Sequence, residues 1–326
     1  MPNVAPLRFP VIVGPTASGK SDLALRLVEA LGGEIVSADA FQIFRCLDIG
    51  TAKPTLDIRA RIPHHLIDIL EPTESFSVSQ WLRRADAAIA DITSRARTPI
   101  VVGGTHLYIK ALLDGLFEGP EPSLELRARL QAMVPAERRA ELVRIDPAAA
   151  ARIHPNDERR TVRALEVFHQ TGRPISDHQK QWDTNVRADP AARAQCETSS
   201  SARHSCVLIG LEWESDALAR RINARVRTML DLGLVTEARA LWQSGRLGPQ
   251  AREALGYKQL VEHFEGRGGR ATFDDAVEKI KIETRRLAKN QRTWLRRLRT
   301  TPGAIWIHGE RAQDSPQELL AAIGAT

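Results

Sequence analysis

Eight consecutive residues near the start of the chain, Gly14, Pro15, Thr16, Ala17, Ser18, Gly19, Lys20 and Ser21, satisfy every fixed position of the pattern G-x-x-x-x-G-K-[ST]. They follow an apolar run, "FPVIV", and precede an amphipathic one, "SDLALRLVEAL". A buried strand that turns through glycines directly into a helix belongs to few architectures, because the helix must pack back onto the sheet that the strand joins. The glycines let backbone amides face an anion, and the helix N-terminus adds partial positive charge. Lys20 then reaches terminal phosphate oxygens, and the Ser21 hydroxyl is placed to ligate magnesium. The motif specifies a diphosphate or triphosphate but not its fate.

Two further segments, "GEIVSADA" and "TPIVVGGT", have the same form: a short β-branched run ending in small residues. Helical patterns separate them, including "SVSQWLRRADAAIADITSRA", which Ser77 or Ser79 caps. Strand, loop, helix and strand at these lengths predict an α/β fold, a parallel sheet flanked by helices, with ligands at the C-terminal strand ends. After "FEGPEPSLE" the pattern is helical to about Trp182, so an all-helical module is inserted into the core. The polar stretch 187–205 reads as a mobile loop. "CVLIGLEW" returns to the sheet, and Gly233 ends a following helix. The expected division is a first core part at 1–118, a helical insertion at 119–204 and the rest of the core at 205–326.

Composition narrows the setting. Among 326 residues, 43% are hydrophobic and 26% charged. No apolar run approaches the roughly 18 residues of a membrane span. The start of the chain has no secretory pattern, so a cytoplasmic protein with no membrane association is expected. Three widely spaced cysteines argue against a disulfide framework or a zinc site. The net charge is +6, yet Lys279 to Arg299 alone carries nine Lys or Arg against one Glu, a local +8. Ile280, Thr284, Leu287, Gln291, Trp294 and Leu298 recur there at helical spacing, giving a packed stripe with basic flanks. A solvated surface helix and a nucleic-acid backbone contact both fit it. His64, His65 and His106 lack partners at metal spacing and read as packing or hydrogen-bonding groups.

Asp39 closes the second strand, where a turn aspartate and a general base are both possible. The third strand ends in Gly103, Gly104 and Thr105, with none of the acid that nucleotide hydrolysis requires at such a tip. Transfer to an acceptor is therefore the better reading.

The blocks "GPTASGKS", "DAFQIFRCLDIGTAKP", "PHHLID", "VVGGTHLYIKALLDGL", "ARIHPNDERRTVRALEVFHQTGRP" and "ALGYKQL" occur in the order found in bacterial tRNA dimethylallyltransferases, and the resemblance runs from about Val11 to Arg299. It implies a P-loop NTPase-like core with an inserted tRNA-binding helical module. It also implies transfer of the dimethylallyl group from dimethylallyl diphosphate, with Mg2+, to the exocyclic amine of the adenosine 3′ of the anticodon. By the same resemblance, Gly14 to Ser21 hold the diphosphate, with Thr16 and Lys20 in contact and Ser21 assisting the metal. Asp39 is the base, and Arg225 reaches the diphosphate from the far side, so that Asp39, Thr16 and Arg225 are the catalytic set. The tRNA anticodon stem-loop falls to Asp39, Ala40, Phe41 and Gln42, to Thr105 and Arg127, to Arg159, Arg160, Thr161, Val162 and Arg163, and to Gly256, Tyr257 and Lys258 in the segment from Glu253. A monomer suffices.

The chain departs from the family at three places. Its usual Asp-Ser is Asp39-Ala40 here, its common Tyr is Phe44, and position 253 is Glu. Three rival readings share some of these features: a P-loop small-molecule or nucleoside kinase, an RNA-binding protein with a nucleotide switch, and an adenylate isopentenyltransferase.

Overall fold

Every residue of Phe9–Val13 (β1) is buried, as a strand covered on both faces requires. A computed structural model describes residues 8–116, 119–179, 204–267, 272–311 and 319–320. After β1 come α1 (Lys20–Leu31), β2 (Glu34–Ala38), α2 (Leu56–Arg61), β3 (His64–His65), α3 (Val78–Ser94), β4 (Pro99–Gly103) and α4 (His106–Asp114). The chain continues through α5 (Leu124–Ala132), α6 (Pro135–Ile145), α7 (Pro147–Arg152), α8 (Glu158–Thr171) and α9 (Ile175–His178). It closes with β5 (Cys206–Glu212), α10 (Ser215–Asp231), α11 (Leu234–Gln243), α12 (Tyr257–Phe264), α13 (Phe273–Leu298) and β6 (Ile305–His308).

The six strands form one sheet in the order β3-β2-β4-β1-β5-β6. All pairs are parallel, with Val13 opposite Gly103 and Gly103 opposite Ala38, so the tips of β1, β4 and β2 lie side by side. Leu23, Leu27, Ile12, Ile35, Ile100 and Ile209 knit α1 to the sheet in one apolar cluster. Four of these strands are legible from patterning. The other two, β3 and β6, are the sheet edges, short and only half-buried, and so lack a continuous apolar run.

Local signals set the helix ends. Ser77 rather than Ser79 caps α3, in a box with Gln80. Gly32 and Gly172 close α1 and α8 at φ 62° and 71°. Gly233 adopts φ 99° at the junction of α10 and α11. Along α13 the buried residues are Ala276, Ile280, Ala288, Gln291 and Leu298. Leu287, assigned above to the packed stripe, is exposed instead, since Ala288 fills the close contact with Ala17, Trp213, Leu218 and Ile222.

The chain divides into two compact units, Met1–Leu112 with His204–Thr326, and Leu113–Arg203. Helix α4 crosses the first boundary, ahead of the break at 119 that the sequence places in its Gly- and Pro-containing connection. Within the helical unit, α5, α6, α7, α8 and α9 enclose Leu130, Leu142, Ala150, Val162, Leu165 and Ile175. The polar stretch 187–205, except His204 and Ser205, lies outside the described residues, as does the expected helical pattern beyond Gln179.

At the base of β2 the Glu34 side chain is only 2% exposed. Arg95 clamps both its oxygens, and His65 Nε2 approaches Oε2 at 2.7 Å. The bonds from Arg95, opposed by burial and aided by His65, lower its pKa from 4.5 to about 2. A depressed carboxylate contributes stability above its unfolded value and loses it as pH falls towards the folded one. The stability difference between wild type and Glu34→Gln is therefore full above pH 4.5 and shrinks progressively below it, as thermal melts across that range will show.

Candidate active site

The phosphate loop joins the tip of β1 to α1, and two of its residues adopt left-handed backbone, Ala17 at φ 62° and Gly19 at φ 87°. Three groups from other elements hold it. Arg221 Nε donates to the Ala17 carbonyl at 2.8 Å, and Trp213 Nε1 donates to that of Ser18 at 2.9 Å. The Arg221 guanidinium lies 4.4 Å from the Trp213 ring centroid. Gln291 Oε1 accepts the Thr16 amide at 2.9 Å, while its Nε2 donates to the Gly104 carbonyl at 2.9 Å. The first helical bond of α1 is from the Leu23 amide to Gly19. The amides just before Leu23 thus have no intrahelical partner and are available to an anion.

Ala17, Ser18, Gly19 and Arg221 line a cavity of about 450 Å³. Its polar wall includes Lys20, Ser21, Asp22, Arg221 and Arg225, and its apolar wall Leu25, Ile35, Ile58, Ile67 and Val102. Burial, then repulsion by Arg225, pushes the Lys20 ammonium down to about 8, with Asp39 opposing. Burial also lowers Arg225, against the pull of Asp39 and Asp22. Two buried cations facing one cavity form a site suited to an anion.

Asp39 fills the turn role and, among the described residues, leaves its other oxygen open. Its Oδ1 accepts the amides of Phe41 and Gln42 at 2.9 and 3.3 Å, a turn role. Among the described residues, its second oxygen takes no hydrogen bond, and Lys20, Arg225 and Tyr108 all sense its charge. Asp39 itself is not in the cavity wall; Ser37 and Gln42 are. The Gln42 amide is committed, accepting Ser37 Oγ at 3.0 Å and donating to the Thr51 and Ala52 carbonyls. Thr105 ties the turn to β4: its Oγ1 accepts the Ala40 amide at 3.1 Å, and its own amide donates to Ala38. Phe44, where a phenol is usual, is fully buried.

The "DIGTAKP" loop forms another wall. Lys53, with a side chain 2% exposed, donates to the Phe44 carbonyl at 2.6 Å and to Asp48 at 2.7 Å, and also pairs with Asp68. Glu237 accepts the amides of Asp48 and Ile49, each at 3.1 Å, and the Tyr257 hydroxyl accepts that of Gly50 at 3.1 Å while donating to Glu237. A Cβ on Gly50 would meet the Tyr257 ring at 2.4 Å, so only glycine fits.

Several residues assigned to tRNA by resemblance are buried or paired. Gly256 and Tyr257 are buried bracing groups and present no side chain to a partner, and Lys258 pairs with Glu253 at 2.6 Å. In the helical unit Thr161 and Val162 are buried, Val162 in its core. Arg127 and Arg163 converge on Glu166, which is 0% exposed and also accepts the Ser123 amide at 2.8 Å. Arg159 and Arg160 remain exposed, Arg160 near Asp157. The histidines hydrogen-bond or stack: His64 on the Ile62 carbonyl, His65 on Glu34, and His106 against Trp294 at 4.5 Å between centroids.

Sequence reading misses Arg221, Trp213, Lys53 and Glu237, and treats Gln291 only as packing. Arg221 had a signal, one turn before Arg225 on the same helix face. No group of three His, Cys, Asp or Glu side chains is placed to cage a metal among the described residues. Ser21 and Asp22 offer one hydroxyl and one carboxylate at the cavity, a set that suits Mg2+ completed by water and phosphate oxygens.

A parallel sheet with this loop, two arginines and a tip carboxylate defines a P-loop-type group-transfer enzyme. The sequence model of one family, IPP transferase, matches residues 42–298, and the chain belongs to that family. It is 46% identical over 286 residues to tRNA dimethylallyltransferase 1 of Citrifermentans bemidjiense, covering 87% of each chain. The tRNA isopentenylpyrophosphate transferase of Bacillus halodurans superposes with a TM-score of 0.67 at 33% identity, over 98% of this chain and 97% of that one. A eukaryotic dimethylallyltransferase acting on tRNA gives 0.78 at 25% identity, over 96% and 78%.

If Tyr257 braces rather than binds, Tyr257→Phe lowers unfolding free energy by about 1–3 kcal/mol, because the part-buried Gly50 amide keeps only its 3.5 Å approach to Glu237 and the Glu237 carboxylate loses a donor. Its affinity for tRNA, measured by filter binding, stays at the wild-type value.

Proposed function

We propose that this chain transfers the dimethylallyl group of dimethylallyl diphosphate to the exocyclic amine of the adenosine 3′ of the anticodon in tRNA, releasing diphosphate. The observation that carries the reading is the pairing of an anion cradle at the tip of β1 with a carboxylate at the tip of β2 whose charge the cradle's cations sense. The names of its relatives agree with it.

The chemistry follows from these groups. The C–O bond to the diphosphate breaks with its electron pair going to oxygen, and the amine lone pair forms the new C–N bond. Amides after Gly19, with Lys20 and Arg225, oppose the charge growing on the leaving group. Asp39 takes the proton that the amine loses. Ser21 and Asp22 would hold Mg2+, which would supply further charge neutralisation. The apolar wall of Ile35, Ile58, Ile67 and Val102 suits a hydrocarbon group and excludes water from it.

Exposed Arg159 and Arg160 and the basic face of α13 suit the phosphates of an anticodon arm. Reaching an amine otherwise held in a stack requires the base to be splayed out of the loop. We place the enzyme in the cytoplasm as a monomer. No helix among the described residues is long and apolar enough to cross a membrane.

Labelled dimethylallyl diphosphate and labelled ATP, offered in parallel with Mg2+ and either unmodified tRNA or AMP, decide the function. Prenyl label arriving in tRNA is expected. Phosphate transfer from ATP would make the chain a kinase, and prenylated AMP an adenylate-type enzyme. Asp39→Asn, which keeps the turn acceptor, is expected to lower kcat about 10²- to 10⁴-fold without altering tRNA affinity. Unchanged turnover would remove Asp39 from the base role.

A further inference from the structure

The buried stripe of α13 contains one polar side chain. Gln291 is 9% exposed on a helix otherwise apolar inside and basic outside. A buried carboxamide is costly unless both its ends are bonded, and here both are: to the Thr16 amide and to the Gly104 carbonyl, each at 2.9 Å. The first partner lies in the phosphate loop and the second at the tip of β4. The fit leaves no slack, since a Cβ on Gly104 would meet Gln291 Nε2 at 2.6 Å and the Gly14 carbonyl at 3.3 Å.

From Gly104 the bonding continues. Thr105, the next residue, accepts the Ala40 amide through Oγ1 and donates its own amide to Ala38, gripping the chain on both sides of Asp39. Phosphate loop, Gln291, β4 tip and Asp39 turn therefore form one hydrogen-bonded series. No other side chain among the described residues bonds the Thr16 amide, and none bonds the Gly104 carbonyl.

We infer that Gln291 is a positioning residue that fixes the separation between the diphosphate cradle and the Asp39 turn, and so the alignment of leaving group, carbon and base. This rests on the reading that Asp39 and the loop serve one transfer reaction. Gln291 touches none of the reacting atoms. Its loss affects the chemical step through misalignment, where displacement by about 1 Å is enough to cost some hundredfold in rate.

Two substitutions separate the halves of the bridge. Gln291→Glu keeps an acceptor for Thr16 but faces the Gly104 carbonyl with a second acceptor, whereas Gln291→Met keeps length and removes both bonds. Ile280→Val, on the same buried stripe, controls for loss of packing alone. In single-turnover transfer with saturating dimethylallyl diphosphate and tRNA, both Gln291 variants are expected to lose about tenfold to a hundredfold in rate with tRNA affinity unchanged. Ile280→Val is expected to lower the melting temperature while keeping the wild-type rate.

Hydrogen exchange supplies a readout independent of turnover. In Gln291→Met, peptides covering Thr16 and Gly104 to Ala40's partner Thr105 should both exchange faster; in Gln291→Glu, the second should change more than the first. Wild-type rates in both Gln291 variants, or a loss confined to tRNA binding, would overturn the inference. Unaltered exchange at both segments would overturn it even if the wild-type protein transferred no prenyl group, a result that would separately refute the proposed reaction.

Discussion

A loop that presents amides to an anion must do something with its carbonyls, which otherwise crowd the same space with negative charge. Here Arg221 takes the carbonyl of Ala17 and the Trp213 indole takes that of Ser18, both from α10 or the strand end before it. The peptide planes are held with oxygens outward, and the left-handed turns at Ala17 and Gly19 become tolerable because the surroundings over-determine them. Stacking of Arg221 on Trp213 makes the two tethers one unit. The electrostatics of the cavity, the placement of Lys20 and the reach of Arg225 all presuppose that clamp.

The cavity is then charged in a deliberate sense. Lys20 is pushed down chiefly by burial and secondarily by Arg225, so cation faces cation in a partly dry space. Two carboxylates, Asp39 and Asp22, offset this from nearby. In the proposed reaction a diphosphate entering such a site meets preorganised positive charge rather than charge that must be gathered, and stabilisation grows as the leaving group takes up its electron pair. The apolar wall opposite raises the effect by lowering the local dielectric.

Much of this is legible in the residues themselves, and the limits have physical causes. The four inner strands announce themselves as apolar runs, whereas His64–His65 and Ile305–His308 are edges whose half-exposure erases the pattern. Arg225 is recognisable only through resemblance to the family, whereas the phosphate loop and Asp39 are recognisable because motif and strand-tip position carry their chemistry. Glu237, Lys53 and Trp213 are not, because each acts on backbone groups remote in sequence: Glu237 braces amides at 48–50 and Trp213 a carbonyl at 18. Resemblance alone also blurs binding with bracing. Tyr257 and Val162 belong to matching segments yet are buried, and Arg127 and Arg163 spend at least part of their charge on Glu166.

The tip of β4 explains why this scaffold suits transfer of carbon rather than hydrolysis of a nucleotide. An acid there would hold metal or orient water. Instead, a Cβ at Gly103 would lie 2.1 Å from the Ala38 carbonyl, and one at Gly104 would strike the Gln291 amide. No side chain fits at Gly103 without moving β2, and one fits at Gly104 only if the Gln291 amide gives up its place. The space that a carboxylate would occupy is used to bring three strand tips and a helix into contact, and the acid is displaced one strand outward, to Asp39. In that position it is removed from the cavity wall around the phosphate loop, and one of its oxygens takes no hydrogen bond among the described residues, as the proposed base role requires.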